Sequence, residues 1–418
     1  EWAESSTEVV IQRLNRHQNR LDLLLGDATT GETSLLFTEA DDAWLDTGDD
    51  LHWIDDGERF TWTSDRDGFS HVYLYDRSGR MVRQLTRGPW DVTSVHGVDE
   101  DAGLLYFTAA SESPLTRSVF SASLDGESMV RLVGGRGTHS ARFAPDFGLF
   151  TATHSSIGTP PVTTLHRAAD ASEVRVLEDN AELAARIEAL DLREPEFFTV
   201  QADDGSTLNA WIIKPRDFDP ARQHPLLMYV YGGPGSQTVR DAWGGNRYLW
   251  HQMLVKRGIL VASVDNRGTG ARGREFKKQV YMRLGQLEAA DQLAAARQLG
   301  RLPYVDASRI GIWGWSYGGY MALMTSLVGG PAIAAAIAGA PVTSWELYDT
   351  IYTERFMRTP QENAEGYNLG APLTLADGLA ADLLLVHGLA DDNVHPQNTL
   401  KMVYALEAAG KQFDMRLY

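Results

Sequence analysis

Gly314-Trp315-Ser316-Tyr317-Gly318 stands between the apolar run 309–314, which reads as a strand, and the helix-favouring Tyr320-Met321-Ala322-Leu323-Met324-Thr325. A serine at the centre of G-x-S-x-G sits on a sharp strand-to-helix turn that lifts its hydroxyl to the carboxyl edge of a sheet, where it can attack a carbonyl. Glycine flanks it because side chains there would collide with the adjoining strand and helix. Such a nucleophile needs a base, and the base needs an orienting carboxylate. Where this turn occurs in the α/β-hydrolase arrangement, the chain order is serine, acid, histidine. Downstream, the run 383–386 ends in His387-Gly388-Leu389-Ala390-Asp391-Asp392-Asn393, so an acid lies just past a strand's carboxyl end. Asp391 is the expected acid; Asp392, pointing elsewhere, is expected to form the turn. His395 follows Asp391 too closely to reach back over Ser316, and His387 at the strand end is expected to be structural. The base is therefore expected beyond Tyr418. For a tetrahedral intermediate, the Tyr317 backbone N–H is one oxyanion donor, and the Tyr231 hydroxyl in Tyr231-Gly232-Gly233-Pro234-Gly235 is a candidate second.

These groups need a scaffold that brings strand ends together. Unbroken apolar runs at 226–230, 259–264, 309–314, 333–338 and 383–386 alternate with amphipathic stretches at 287–299 and 398–409. Strands covered by helices on both faces read this way, so residues 186–418 are expected to form a doubly wound, mostly parallel α/β-hydrolase sheet. A hairpin is expected where 197–200 and 210–214 flank Asp203-Asp204-Gly205. Residues 1–185 differ: short β-rich runs at 21–25, 71–75 and 118–123 lead into turns at Gly31, Gly79 and Gly126, spaced 48 and 47 residues apart. A weaker copy runs from 162–166 into Asp170. That period suits propeller blades, whose small sheets bury their faces only against neighbours. Three to four blades are expected, part of a larger ring, with a β-sandwich as the alternative. A charged helical link at 180–193 joins the two regions.

Composition narrows the partners. With 38 Lys and Arg against 56 Asp and Glu, the net charge of −18 opposes phosphate backbones and anionic lipid, so nucleic acid and membrane surfaces are poor candidates. No cysteine is present, which removes disulfides, thiolate metal sites and a cysteine nucleophile. No apolar stretch reaches the roughly 18 residues of a membrane span. The first residue is Glu1, with no signal-peptide pattern after it, so the chain is expected to begin inside a longer gene product.

Several segments together resemble the prolyl oligopeptidase family, and within it the dipeptidyl peptidase IV branch. They are Val230-Tyr-Gly-Gly-Pro-Gly-Ser-Gln237, Asp265-Asn-Arg-Gly-Thr-Gly270, Ile312-Trp-Gly-Trp-Ser-Tyr-Gly-Gly-Tyr320, the stretch 341–355 with its Tyr352-Thr-Glu-Arg355, and Val386-His-Gly-Leu-Ala-Asp-Asp-Asn-Val-His395. The likeness covers nearly all of 194–418, and Ser64-Asp-Arg-Asp-Gly-Phe-Ser-His-Val-Tyr73 extends it weakly upstream. The resemblance implies Ser316 as nucleophile, Asp391 as triad acid, and Tyr231 with the Tyr317 amide as the oxyanion hole. It implies a proline-sized pocket from Tyr317, Val342, Trp345, Tyr348, Tyr352 and Val394, with Asn393 holding the carbonyl of the penultimate residue. Trp345, Tyr348 and Tyr352, at i, i+3 and i+7, would share one face of a helix, and flat aromatic walls suit a pyrrolidine ring; the alternative is an aromatic stripe packed in the core. The resemblance further implies a serine exopeptidase releasing X-Pro or X-Ala dipeptides through an acyl-enzyme, with no metal and no cofactor. It also implies a homodimer, a bacterial source and a periplasmic location, a catalytic histidine past Tyr418, and amine-binding glutamates before Glu1. Alternatives are an endo-acting prolyl oligopeptidase, an acylaminoacyl peptidase, or a non-catalytic propeller–hydrolase binding protein.

Three weaker motifs are set aside. Gly268-Thr-Gly270-Ala-Arg-Gly273 fits a dinucleotide fingerprint with Glu288 as ribose acid, but no apolar helix follows it. Asp65-Arg66-Asp67-Gly68 hints at a calcium loop yet lacks the downstream glutamate. Lys277-Lys278 reads as a solvated face.

Overall fold

The computed structural model describes residues 2–48 and 51–418; Glu1, Asp49 and Asp50, which fall inside the expected propeller region, lie outside the described residues. The chain forms two compact units, 1–191 with 240–243 and 271–275, and 192–239 with 244–270 and 276–418.

The first unit is a row of antiparallel meanders. Three strands (Glu8–Leu14, Arg20–Asp27, Thr33–Ala40) make one sheet, and three four-stranded sheets follow in chain order through Glu173–Glu178. Consecutive sheets share cores. Leu21 and Leu23 of the first pack with Trp53, Phe60 and Trp62 of the second. Val72 and Leu74 of the second pack with Leu105, Phe107 and Phe120 of the third. Tyr106 and Val119 of the third pack with Phe150 and Ala152 of the fourth. Each sheet burying a face against the next is propeller construction, not a two-sheet sandwich. The repeating turn glycines are required: Gly31, Gly79 and Gly126 have φ of 77°, 83° and 72°, the left-handed region that glycine enters without cost. The expected link helix spans Ala181–Ala189.

The second unit is built on one eight-stranded sheet. Its strands are β1 (Glu196–Gln201), β2 (Thr207–Ile213), β3 (His224–Tyr229), β4 (Leu260–Val264), β5 (Val305–Trp315), β6 (Ala335–Gly339), β7 (Asp382–His387) and β8 (Asp414–Leu417). The order across the sheet is β1-β2-β4-β3-β5-β6-β7-β8. β1 and β2 form the expected antiparallel hairpin, β2 runs antiparallel to β4, and β4 to β8 with β3 are mutually parallel. All five residues of β4 are buried, as expected of a strand covered on both faces. Helices that matter to the site are α1 (Gly245–Val255), α2 (Gln286–Gly300), α3 (Tyr317–Val328), α4 (Thr350–Met357) and α5 (Gln397–Ala408). Among the described residues, no helix is long and apolar enough to cross a membrane.

Because β3, β5, β6 and β7 are parallel, the segments after them (from 230, 316, 340 and 388) leave the sheet at the same edge. The tightest point is where α3 starts against the sheet. A Cβ on Gly319 would sit 2.1 Å from the Gly339 carbonyl oxygen, a backbone atom of β6. Helix propensity favours alanine over glycine by about 1 kcal/mol, but the collision dominates. Gly319→Ala is expected to destabilise the protein by roughly 2–3 kcal/mol, read as a lower denaturant midpoint; a raised midpoint would reject this packing.

Candidate active site

Ser316 caps α3 with φ 59° and ψ −121°. A positive φ is uncommon outside glycine and is strained unless its surroundings over-determine it. Here they do: the Ser316 N–H donates to the Gly339 carbonyl at 2.9 Å, and its own carbonyl accepts from Tyr320 N–H at 2.9 Å. The side chain is half-buried. The Tyr317 N–H is in the first turn of α3, where backbone donors have no intrahelical acceptor and are free for an anion.

Tyr231, two residues past β3, brings its hydroxyl to the Ser316 side chain. Burial pushes the Tyr231 hydroxyl above its ordinary value, and the contact with Ser316 opposes that. Its loop is held by Asn266, whose Nδ2 donates to the Gly232 carbonyl at 2.9 Å.

Asp391 Oδ1 accepts the backbone N–H groups of Asn393 at 3.1 Å and Val394 at 2.9 Å. The turn-forming role expected of Asp392 therefore belongs to Asp391, and Asp392 is exposed. The cause is local: an Asx turn is closed by the aspartate that opens the loop, two residues before its N–H partner. Asp391 Oδ2 stays 3.5 Å from His387 Nε2. His387 is fully buried; its Nε2 donates to the Val394 carbonyl and its Nδ1 pairs with the Thr399 hydroxyl, both at 2.7 Å. It is committed to the fold. His395 is exposed.

The aromatic residues converge, but not on one helix. Trp345 lies in a short 3-10 turn (Trp345–Leu347) capped by Ser344, Tyr348 is extended, and Tyr352 belongs to α4, which Asp349 caps by accepting the Tyr352 N–H at 2.7 Å. Two side-chain caps five residues apart break the expected single helix, because each stabilises a separate start. The rings still meet: Trp345 to Tyr352 at 6.0 Å stacked, Tyr348 to Tyr352 at 5.3 Å edge-on, Tyr317 to Trp345 at 5.6 Å and Tyr231 to Tyr317 at 6.1 Å. Tyr317, Val342, Trp345 and Val394 are buried, each at most 3% exposed, and Tyr231, Tyr348 and Tyr352 are half-buried. Asn393 is exposed and accepts the Tyr348 hydroxyl at 3.0 Å.

Three supports escaped the sequence reading. Tyr320, in the first turn of α3, lies 2.9 and 2.8 Å from the carbonyls of Leu284 and Gly370 and accepts from Trp345 Nε1 at 3.2 Å, fixing the indole. Asn266 sits inside a segment noted for resemblance alone. Glu288, weighed as a ribose acid, instead is fully buried and accepts the Tyr317 hydroxyl at 2.8 Å. After Gly268 the chain makes only a six-residue helix (Gly273–Lys278), not the long phosphate-facing helix of a dinucleotide fold. Among the described residues, no group of three or more His, Asp or Glu is arranged to hold a metal ion.

Two family descriptions match the chain: the N-terminal region of dipeptidyl peptidase IV over residues 1–161, and the prolyl oligopeptidase family over residues 247–418. This chain belongs to the prolyl oligopeptidase family. It is 33% identical to an Emericella nidulans protein named "Probable dipeptidyl peptidase 4", covering 94% of this chain and 53% of the relative. It is 38% identical to a Fusarium vanettenii protein named "Probable dipeptidyl-aminopeptidase B", covering 84% of this chain and 39% of the relative. The crystal structure of Porphyromonas gingivalis dipeptidyl peptidase 4 superposes with a TM-score of 0.95 at 43% identity, covering 99% of this chain and 58% of that one. The chain thus spans about half the length of the curated relatives it matches. The expected propeller and hydrolase fold and the dipeptidyl peptidase IV branch are both borne out.

Glu288 gives this family member a measurable pH signature. Burial pushes its carboxyl from an ordinary 4.5 up to about 7, only partly offset by hydrogen bonds from backbone N–H groups and Tyr317. The folded state then holds a proton that the unfolded chain releases, so stability falls as pH rises between those two values and is flat above them. Glu288→Gln, neutral throughout, is expected to lose less stability than the native protein between pH 5 and 8 in denaturant titrations; parallel pH dependences would contradict the buried-acid assignment.

Proposed function

We propose that the full-length protein is a serine exopeptidase that releases X-Pro or X-Ala dipeptides from peptide amino ends through an acyl-enzyme. The observation that carries the reading is Ser316 at φ 59° on the strand-to-helix turn, with the Tyr231 hydroxyl at its side chain and an aromatic enclosure beside it. In this reading Ser316 Oγ attacks the carbonyl carbon of the penultimate residue while its proton passes to an imidazole oriented by Asp391. His387, bound to the Val394 carbonyl and the Thr399 hydroxyl, and the exposed His395 are not that imidazole in this reading. The developing oxyanion takes hydrogen bonds from the Tyr231 hydroxyl and the Tyr317 amide. The same imidazole returns the proton to the departing amine, leaving the dipeptide as an ester on Ser316, which water hydrolyses. Tyr317, Val342, Trp345, Tyr348, Tyr352 and Val394 enclose the proline or alanine side chain, and Asn393 holds a substrate carbonyl.

Relatives named for dipeptidyl peptidase activity support the exopeptidase reading over internal cleavage. The same family likeness supports a homodimer exported to the periplasm, readable by sedimentation and cell fractionation.

The full-length protein is expected to cleave a Gly-Pro reporter and to leave the amino-blocked Gly-Pro reporter largely intact, with a fluorophosphonate probe attached at Ser316. Equal cleavage of both reporters would reject the dipeptidyl claim, and no adduct would reject the serine mechanism.

A further inference from the structure

Glu288 occupies a place that folding alone does not explain. It is the third residue of α2 and fully buried, and its Oε2 has no hydrogen-bond partner. A carboxylate near a helix N-terminus is favourable when solvated, but an enclosed carboxyl with an unpaired oxygen is costly. Groups held at such a cost cluster where they do work for a site.

Besides the backbone N–H groups of Gly285 and Glu288, the carboxyl is bound by the Tyr317 hydroxyl, which donates to Glu288 Oε1 at 2.8 Å. Tyr317 is the residue whose ring touches Tyr231, Tyr320 and Trp345 and whose backbone N–H follows Ser316. Gly285, one residue before α2, lets this arrangement exist: a Cβ there would lie 1.8 Å from the Tyr320 hydroxyl. The bond that the Tyr317 hydroxyl gives to Glu288 therefore anchors the far end of the Tyr317 side chain.

We propose that Glu288 is a positioning residue for cleavage after proline, acting through the Tyr317 hydroxyl to hold the ring that walls the side-chain pocket. This rests on the peptidase reading above. The groups facing Glu288 are Asp291 on its own helix, Tyr317 and Tyr320 from α3, and Tyr352 from α4. Arg267 is bound to Asp291 and Asp204. No cation among these neighbours neutralises Glu288 directly. The ionised carboxylate is the stronger acceptor for the Tyr317 hydroxyl, so positioning is complete above the carboxyl's titration at about 7 and weakens below it.

The test is a double-mutant cycle in the full-length enzyme with Gly-Pro and Gly-Ala reporters. Glu288→Gln and Tyr317→Phe are each expected to lower kcat/KM for Gly-Pro about tenfold at pH 8, with a smaller loss for Gly-Ala, and the double variant to be no worse than Tyr317→Phe alone. The ratio of Glu288→Gln to native kcat/KM should approach one as pH falls to 5.5, because the native carboxyl then loses its own charge. Additive losses, or a ratio independent of pH, would overturn the proposal. Should Glu288→Gln fail to fold by near-ultraviolet circular dichroism, Tyr317→Phe reads the same bond from its other end: a loss for Gly-Pro supports the role and an unchanged kcat/KM overturns it. Failure of the native enzyme to cleave Gly-Pro would strike the peptidase reading instead, and is distinguished by that control.

Discussion

The geometry of the site depends on a backbone that comes closer to its neighbours than any side chain would permit. A Cβ on Gly314 would lie 2.3 Å from the Gly318 carbonyl oxygen, and one on Gly318 would lie 2.3 Å from the Val230 carbonyl oxygen. With Gly319 against β6, three glycines let α3 start directly on the end of β5, and Ser316 has no room for an extended or helical φ. Its positive φ is thus imposed by packing on both sides. The same contacts bring Val230, and with it Tyr231, against the start of α3, so nucleophile and hydroxyl partner are positioned by one set of close approaches.

A second constraint runs along α2. Glu288, Asp291 and Gln292 stand at i, i+3 and i+4 on one helical face, and all three are fully buried. Each ties down a different segment. Glu288 accepts from Tyr317. Asp291 accepts the Arg267 backbone N–H at 2.8 Å and its guanidinium at 2.5 to 3.1 Å. Gln292 Nε2 donates to Asn266 Oδ1 at 3.1 Å, and Asn266 in turn holds the Gly232 carbonyl. Buried ion pairs contribute little net stability after desolvation, so the gain from this face is orientation: the Tyr231 loop, the segment after β4 and the start of α3 are referred to one rigid helix.

How much of this was legible follows from which signals are local. The nucleophile turn could be read because strand, glycines, serine and helix are contiguous, and β4 and β7 because burial on both faces leaves unbroken apolar runs. The polar face of α2 could not. A stretch with Glu288, Asp291 and Gln292 on one side reads as amphipathic with a solvated face, and only tertiary structure shows that Tyr317, Arg267 and Asn266 cover it. The Asp391–Asp392 pair illustrates a finer limit: both are acids at a strand end, and only the N–H groups of Asn393 and Val394 decide which closes the turn.

The aromatic enclosure shows why a mistaken local structure can still identify the right neighbours. On a single helix, Trp345, Tyr348 and Tyr352 would present parallel edges along one stripe. In the protein the caps at Ser344 and Asp349 split the segment, so the rings arrive from a 3-10 turn, an extended residue and a helix. They meet at interplanar angles of 83°, 25° and 86°, a mixture of edge-on and stacked contacts that aromatic quadrupoles favour over uniform stacking. Rings set at different angles meet one another on several sides, which rings along one helical face do not. Tyr320 then holds the indole from below through a hydroxyl that also reaches the carbonyls of Leu284 and Gly370. The enclosure is therefore fixed to the start of α2 and to the start of α3 together, and its shape depends on the same packing that sets the backbone of Ser316.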